Sequence, residues 1–263
     1  MAMDILARYG IKEVADVTFY KIKENGEPGA PVLYLDTLKV STIEQTAENS
    51  SARGGKGNPE LIMWDYGKEI TVTLEDALFS AKSMALMYGV DIDNVEDFAG
   101  EESVLKTVKP SQVTGEDTAL KFIINGQEFE ATNVKYYGPD GSENYLKAPE
   151  DGEGEPVSTP HTKDTATYIT GDIKVTGQKI VISSDKFPGT YYVTGDTYAR
   201  SETTGEDEFF QFIIPKAKMQ SEVTLTMEAE GDPSTFNMNL KVLRPDDGDM
   251  MKLVKYSVPK AAG

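Results

Sequence analysis

"LIMWDYGKEITVT", residues 61–73, places Ile62, Trp64, Tyr66, Ile70 and Val72 at alternating positions, with Asp65, Glu69 and Thr71 between them. Successive side chains of a strand point to opposite faces, so a period of two with one apolar and one polar face marks a half-buried β-strand. The period changes directly afterwards. Leu74, Ala77, Leu78, Ala81, Ala85 and Tyr88 recur at helical spacing, Thr73 and Asp76 fit a capping-box pattern, and Gly89 suits a C-terminal stop. The spacing predicts a helix over about 74–88 with this stripe, Leu78 included, on a core.

Outward from that pair the chain reads as β. "VTFYKIK" (17–23) and "VLYLDTLKV" (32–40) flank a Gly- and Pro-containing turn, and further strands are expected at 104–109, 119–126, 129–137, 166–184 and 189–200. In "SEVTLTMEAEGDPSTFNMNLKVL" (221–243), Val223, Leu225, Met227 and Ala229 oppose Glu222, Thr224, Thr226, Glu228 and Glu230. After the turn, Phe236, Met238, Leu240 and Val242 oppose Asn237, Asn239 and Lys241. Both arms have one apolar and one polar face, as a hairpin between a core and water requires. Residues 138–165 break the pattern with seven acids, two lysines and many Gly and Pro, and read as a solvated insertion or surface loop. The expected core is therefore 1–137 with 166–263.

Composition removes whole classes of function. The 263 residues include 26 Lys and Arg against 44 Asp and Glu, a net charge of -18 that repels nucleic acid. With no cysteine there are no disulfides, thiolate metal sites or cysteine nucleophiles, and the only histidine, His161, is expected in an exposed loop. The N-terminal stretch has no signal-peptide pattern and no apolar run approaches a membrane span, so the chain reads as a soluble protein of a cytoplasm.

Candidate chemical motifs fail on inspection. The glycine-rich loop Arg53, Gly54, Gly55, Lys56, Gly57 has Gly57 and Asn58 after its lysine, so it does not match a phosphate-binding loop, and it precedes a strand. "DIDNVEDFAGEE" (91–102) has Val95 and Glu96 where a calcium loop needs a ligand and a glycine, and reads as a solvated acidic loop. The Asn49 sequon carries no weight without a secretory signal. Acids are too many for one pair to stand out. No enzyme, cofactor or metal site is expected.

Two blocks, "TLKVSTIEQTAENSSARGGKGNPELIMWDYGKEITVTLEDALFSAKSMALMYG" and "FFQFIIPKAKMQSEVTLTMEAEGDPSTFNMNLKVL", resemble the major tail tube proteins of long-tailed bacteriophages. The resemblance implies two packed antiparallel sheets flanked by a helix, in a barrel-like tail tube fold with a long hairpin loop. It implies homo-oligomeric rings, commonly hexameric, stacked into a hollow tube that conducts DNA at ejection. The loop at about 44–60, with Arg53, Gly54, Gly55, Lys56 and Gly57, corresponds to the segment that reaches adjacent subunits. Its two cations need acidic partners, which a second copy of this acidic chain supplies. Asp65, Glu69, Glu222, Glu228 and Glu230 then face an anionic channel past which double-stranded DNA slides without specific binding. Other implied partners are the tape measure, the tail tip or baseplate and the terminator. No membrane is involved, and the place is the virion tail, assembled in the host cytoplasm. A monomeric β-sandwich adhesin or ligand-binding module would share the alternation and the acidity.

Overall fold

The computed structural model describes residues 8–11, 13–90, 96–116, 119–147, 156–225 and 235–256. In chain order the strands are β1 (Tyr9–Ile11), β2 (Asp16–Ile22), β3 (Pro28–Leu35), β4 (Leu38–Arg53), β5 (Glu60–Asp76), β6 (Glu96–Val108), β7 (Val113–Thr114), β8 (Lys121–Ile124), β9 (Gln127–Tyr137), β10 (Asn144–Lys147), β11 (Val157–Pro160), β12 (Tyr168–Lys179), β13 (Thr190–Ser201), β14 (Asp207–Met219), β15 (Phe236–Val242) and β16 (Lys252–Tyr256). The one α-helix among the described residues, α1 (Ala81–Met87), follows β5. The protein is mainly β with antiparallel pairing throughout, as the alternation implied. It divides into two units, 1–95 with 180–263, and 96–179.

The first unit is a nine-stranded sheet with the order β3-β2-β13-β14-β15-β5-β4, to which β1 adds on β13 and β16 on β14. Only Asp36 and Thr37 separate the two end strands of that path, β3 and β4. Three Cα steps bring Leu35 and Leu38 within about 11 Å of each other. The sheet therefore curls on itself, and both leucines enter one core with Val17, Phe19, Val72, Leu74, Val193, Ile214, Met238 and Leu240. A latch holds the seam. Thr37 donates its hydroxyl to the buried Asp76 (2.6 Å), which also accepts from the Leu78 amide (3.2 Å), while the Ala77 amide donates to the Thr37 carbonyl (3.2 Å).

The helix is shorter and later than the periodicity predicts. β5 continues through Thr73, Leu74 and Asp76, whose partners on β15 are Asn239, Met238 and Phe236. The cap is Ser80: its hydroxyl accepts from the Ser83 amide (3.0 Å), and its own amide donates to the Ser83 hydroxyl (2.8 Å). Strand pairing of Leu74 outweighs its helical spacing, and Leu78, expected in the core, is 64% exposed, whereas Leu86 is fully buried. Gly89 does end the helix, at φ 74°, with the Val90 amide donating to Ala85 and the Gly89 amide to Leu86. A Cβ there would also lie 2.3 Å from the Phe187 carbonyl carbon.

The second unit is a five-stranded sheet, β6-β12-β9-β8-β7, over a small core of Val108, Val113, Leu120, Phe122, Ile169 and Ile173. Asn125 (φ 50°) and Gly126 (φ 79°) make the two-residue turn between β8 and β9, the left-handed pair that a tight hairpin requires. Within the acidic stretch 138–165, β10 and β11 form a hairpin. That hairpin overturns the exposed reading of His161. The residue follows β11, its amide donates to the Glu143 carbonyl (3.0 Å), and it is buried. Its Nε2 stands 2.6 Å from where a Cβ on Gly138 would be. Of the acidic run 91–102, residues 91–95 lie outside the described residues and Glu96 already begins β6.

Candidate assembly surface

β4 and β5 pair from Leu38↔Asp76 to Arg53↔Glu60, but β15 covers β5 only from Thr71 to Asp76. From Ile70 to Glu60 the hairpin is a two-stranded ribbon, and ten residues at about 3.3 Å each carry it roughly 30 Å beyond the sheet. Leu61, Ile62, Met63, Trp64 and Tyr66 are each more than half exposed there. A lone two-stranded ribbon is marginally stable in water, and its apolar side chains lack a core.

The register carries a displacement at Gly67. Thr46 opposes Glu69 and Glu48 opposes Tyr66, so Ala47 alone faces Lys68 and Gly67. β5 holds the extra residue of a β-bulge, with Gly67 at φ 63°. Directly opposed residues share a face, and β4 alternates without interruption across this point. Counted along β4, Thr42, Glu44, Thr46, Glu48, Ser50 and Ala52 share the face away from the core with Thr73, Thr71 and Glu69, and beyond the bulge with Tyr66, Trp64 and Ile62. Ile70, Val72 and Leu74 face the core, and past the bulge that parity passes to Asp65 and Met63. Sequence alternation had joined Ile62, Trp64 and Tyr66 to Ile70 and Val72. One extra residue separates them. A glycine inside a strand pattern was the signal available in the sequence.

The glycine-rich stretch is the tip of this ribbon. The Asn58 amide donates to the Gly55 carbonyl (3.1 Å) and the Gly54 amide to the Pro59 carbonyl (3.2 Å). Gly55 (φ 84°) and Gly57 (φ 86°) adopt the left-handed conformation with open space where a Cβ would be. Arg53 reaches Glu60 of its own hairpin at 3.9 Å, both side chains exposed, and Lys56 makes no ion pair with a described residue.

Of the five acids assigned to a channel, Asp65, Glu69 and Glu222 lie among the described residues. Asp65 and Glu69 lie on opposite faces of the ribbon, and Glu69 accepts an exposed ion pair from Lys241 (2.8 Å). Glu222 is exposed in a segment that is not a strand, although the alternation of 221–230 predicted one, and Glu228 and Glu230 lie outside the described residues. On the return arm Phe236, Met238, Leu240 and Val242 are buried, as expected. The register adds Glu44, Glu48 and Glu75, which the sequence reading passed over, to the face that carries Glu69.

Among the described residues no helix is long and apolar enough to cross a membrane, and no three His, Asp or Glu side chains gather as a metal-ligand set. The described residues thus form a curled antiparallel sheet with a hairpin that projects beyond it and carries exposed apolar side chains. The chain belongs to the YomU/Tube protein family, whose model matches residues 9–255. It is similar to a tail tube protein of Bacillus phage SPR, with 25% identity over 248 residues, 93% of this chain and 87% of that one. The resemblance drawn from residues 37–89 and 209–243 thus extends across the chain, and the function it carries is structural, not enzymatic.

Proposed function

We propose that the chain polymerises as stacked hexameric rings into the hollow tube of a phage tail, through which double-stranded DNA passes without specific binding. The observation that carries this reading is the β4–β5 ribbon, whose apolar side chains Leu61, Ile62, Met63, Trp64 and Tyr66 are exposed among the described residues. Its tip would act as a clasp on an adjacent subunit, with Gly55 and Gly57 permitting close backbone approach and Lys56 meeting acids of the neighbouring copy. Acids on the outer face of β4 and β5, together with Glu222, Glu228 and Glu230, would make the channel anionic, so that DNA phosphates find nothing to grip. The remaining partners are other tail proteins: the tape measure, the tip or baseplate, and the terminator. Assembly takes place in the host cytoplasm and the product resides in the virion tail.

Electron microscopy of the purified protein at rising concentration tests the proposal. Rings or tubes of uniform diameter are the expected result. A monomer that persists at every concentration and salt would count for an adhesin or ligand-binding module instead.

A further inference from the structure

The second unit has an outer face with a chemistry of its own. On β12, Ile169 and Ile173 are buried and Gly171 lies against the Phe122 ring, so Tyr168, Thr170 and Asp172 stand on the opposite face. β9 carries a bulge there. Thr170 opposes Lys135 and Asp172 opposes Thr132, so Asn133 and Val134 together oppose Gly171. Val134 packs on the core, while Asn133, left-handed at φ 51°, turns outward and donates its Nδ2 to Asp172 Oδ2 (2.8 Å). Bulges gather beside binding sites, where they re-aim a side chain, and a residue held in an uncommon backbone conformation is grounds for a functional hypothesis.

We propose that this face binds a neutral glycan, with one sugar ring stacked on Tyr168 and adjacent hydroxyls of the chain bonded to Asp172 and Asn133. Tyr168, directly opposite Tyr137, is 44% exposed, and four residues at about 3.3 Å each set it roughly 13 Å from Asp172 along one strand. Asp172 and Asn133 stand side by side as acceptor and donor. Neighbouring hydroxyls match that pair, since each can both donate and accept. Charge narrows the ligand further. Glu143 accepts from Lys135 (3.0 Å) and from the Tyr137 hydroxyl, and these two bonds hold its carboxyl below the usual range. Lys135 is thereby engaged, and Lys174 lies beyond Asp172 on the side away from Tyr168. Asp172 and Glu143 repel phosphates and carboxylates, on a chain whose net charge is already -18. The proposal stands whether or not the chain forms tubes.

Affinity electrophoresis of the full-length protein tests this, in native gels that contain a soluble β-glucan, a galactomannan or a mannan, with alginate as the anionic counterpart. At least one neutral polymer should retard the protein, and alginate should not. Tyr168→Ala should raise the polymer concentration needed for the same retardation by about tenfold, equivalent to roughly 1.4 kcal/mol. Asn133→Gly should weaken retardation similarly with far-ultraviolet dichroism unchanged, because glycine accepts the left-handed conformation and only the side chain is lost. Tyr198→Ala, which removes an equally exposed tyrosine of the first unit, should migrate as the parent does. Migration unaffected by every neutral polymer overturns the proposal, as does retardation by alginate equal to that by the neutral polymers. So does a Tyr198→Ala loss equal to that of Tyr168→Ala, or parental retardation of Asn133→Gly.

Discussion

Phe212 lays its ring over Gly195, its partner across β13 and β14, so closely that a Cβ on Gly195 would stand 2.1 Å from two ring carbons. The ring is buried and cannot swing into solvent. Gly195→Ala should therefore cost about 1–3 kcal/mol, the usual range for overpacking, read as a lower midpoint in chemical denaturation. Around the helix, the contrast between two leucines is the test. Leu86→Ala removes a side chain with no exposed surface and should cost about 2–5 kcal/mol. Leu78→Ala, despite its place in the helical stripe, should stay within about 0.5 kcal/mol of the parent, and thermal unfolding of both variants checks the pair. Thr73 and Asp76 fitted a capping pattern that was locally sound. They are strand residues because β15 offers them a ladder, a tertiary fact that sequence spacing does not contain. Ser80 and Ser83, which do cap the helix, lack the Glu or Gln by which such boxes are usually recognised. His161 was equally opaque: its burial follows from Gly138 and a hairpin within a stretch whose composition resembles a loop.

Strands with one buried face were legible, as β2, β13 and β15 show, because burial imposes the period of two that the sequence displays. β5 was half legible. From Ile70 to Asp76 its alternation describes a core face, and from Glu60 to Tyr66 the same alternation continues on a ribbon with no core of its own. A bulge changes parity by one residue without changing composition, so the apolar positions of 61–66 read as interior. The ribbon also has a definite architecture where a loop at 44–60 was expected, since the ladder runs to Arg53↔Glu60. Its tip contributes little to the subunit, because an exposed pair such as Arg53–Glu60 is worth at most about 1 kcal/mol. Deleting Arg53 to Gly57 should thus leave circular dichroism and melting near those of the parent while tube yield falls severely. Normal tube yield from the deletion protein would remove the clasp from consideration.

Charge governs the molecule as a whole. Bringing chains of net charge -18 together sets like against like, and salt at physiological strength screens this beyond about 8 Å. Assembly should therefore require less protein as salt is raised from low levels, measured by sedimentation of polymer. Replacing both Glu228 and Glu230 with Lys would reverse the sign of that segment, and virions with normal tails should then eject DNA slowly, recovering as salt rises. Parental ejection rates at low ionic strength would place those residues away from the DNA path. The second unit has its own core and its own sheet, and its first and last strand residues, Glu96 and Lys179, are paired neighbours across β6 and β12. Exchanging residues 97–178 for a short Gly-Ser linker should leave the first unit folded, with cooperative melting retained. Because the inserted module leaves its host through two adjacent backbone positions, the host sees it as a side branch rather than as a stretch of its own thread. Such a junction is a socket, at which an engineer could mount a foreign cargo at one copy per subunit.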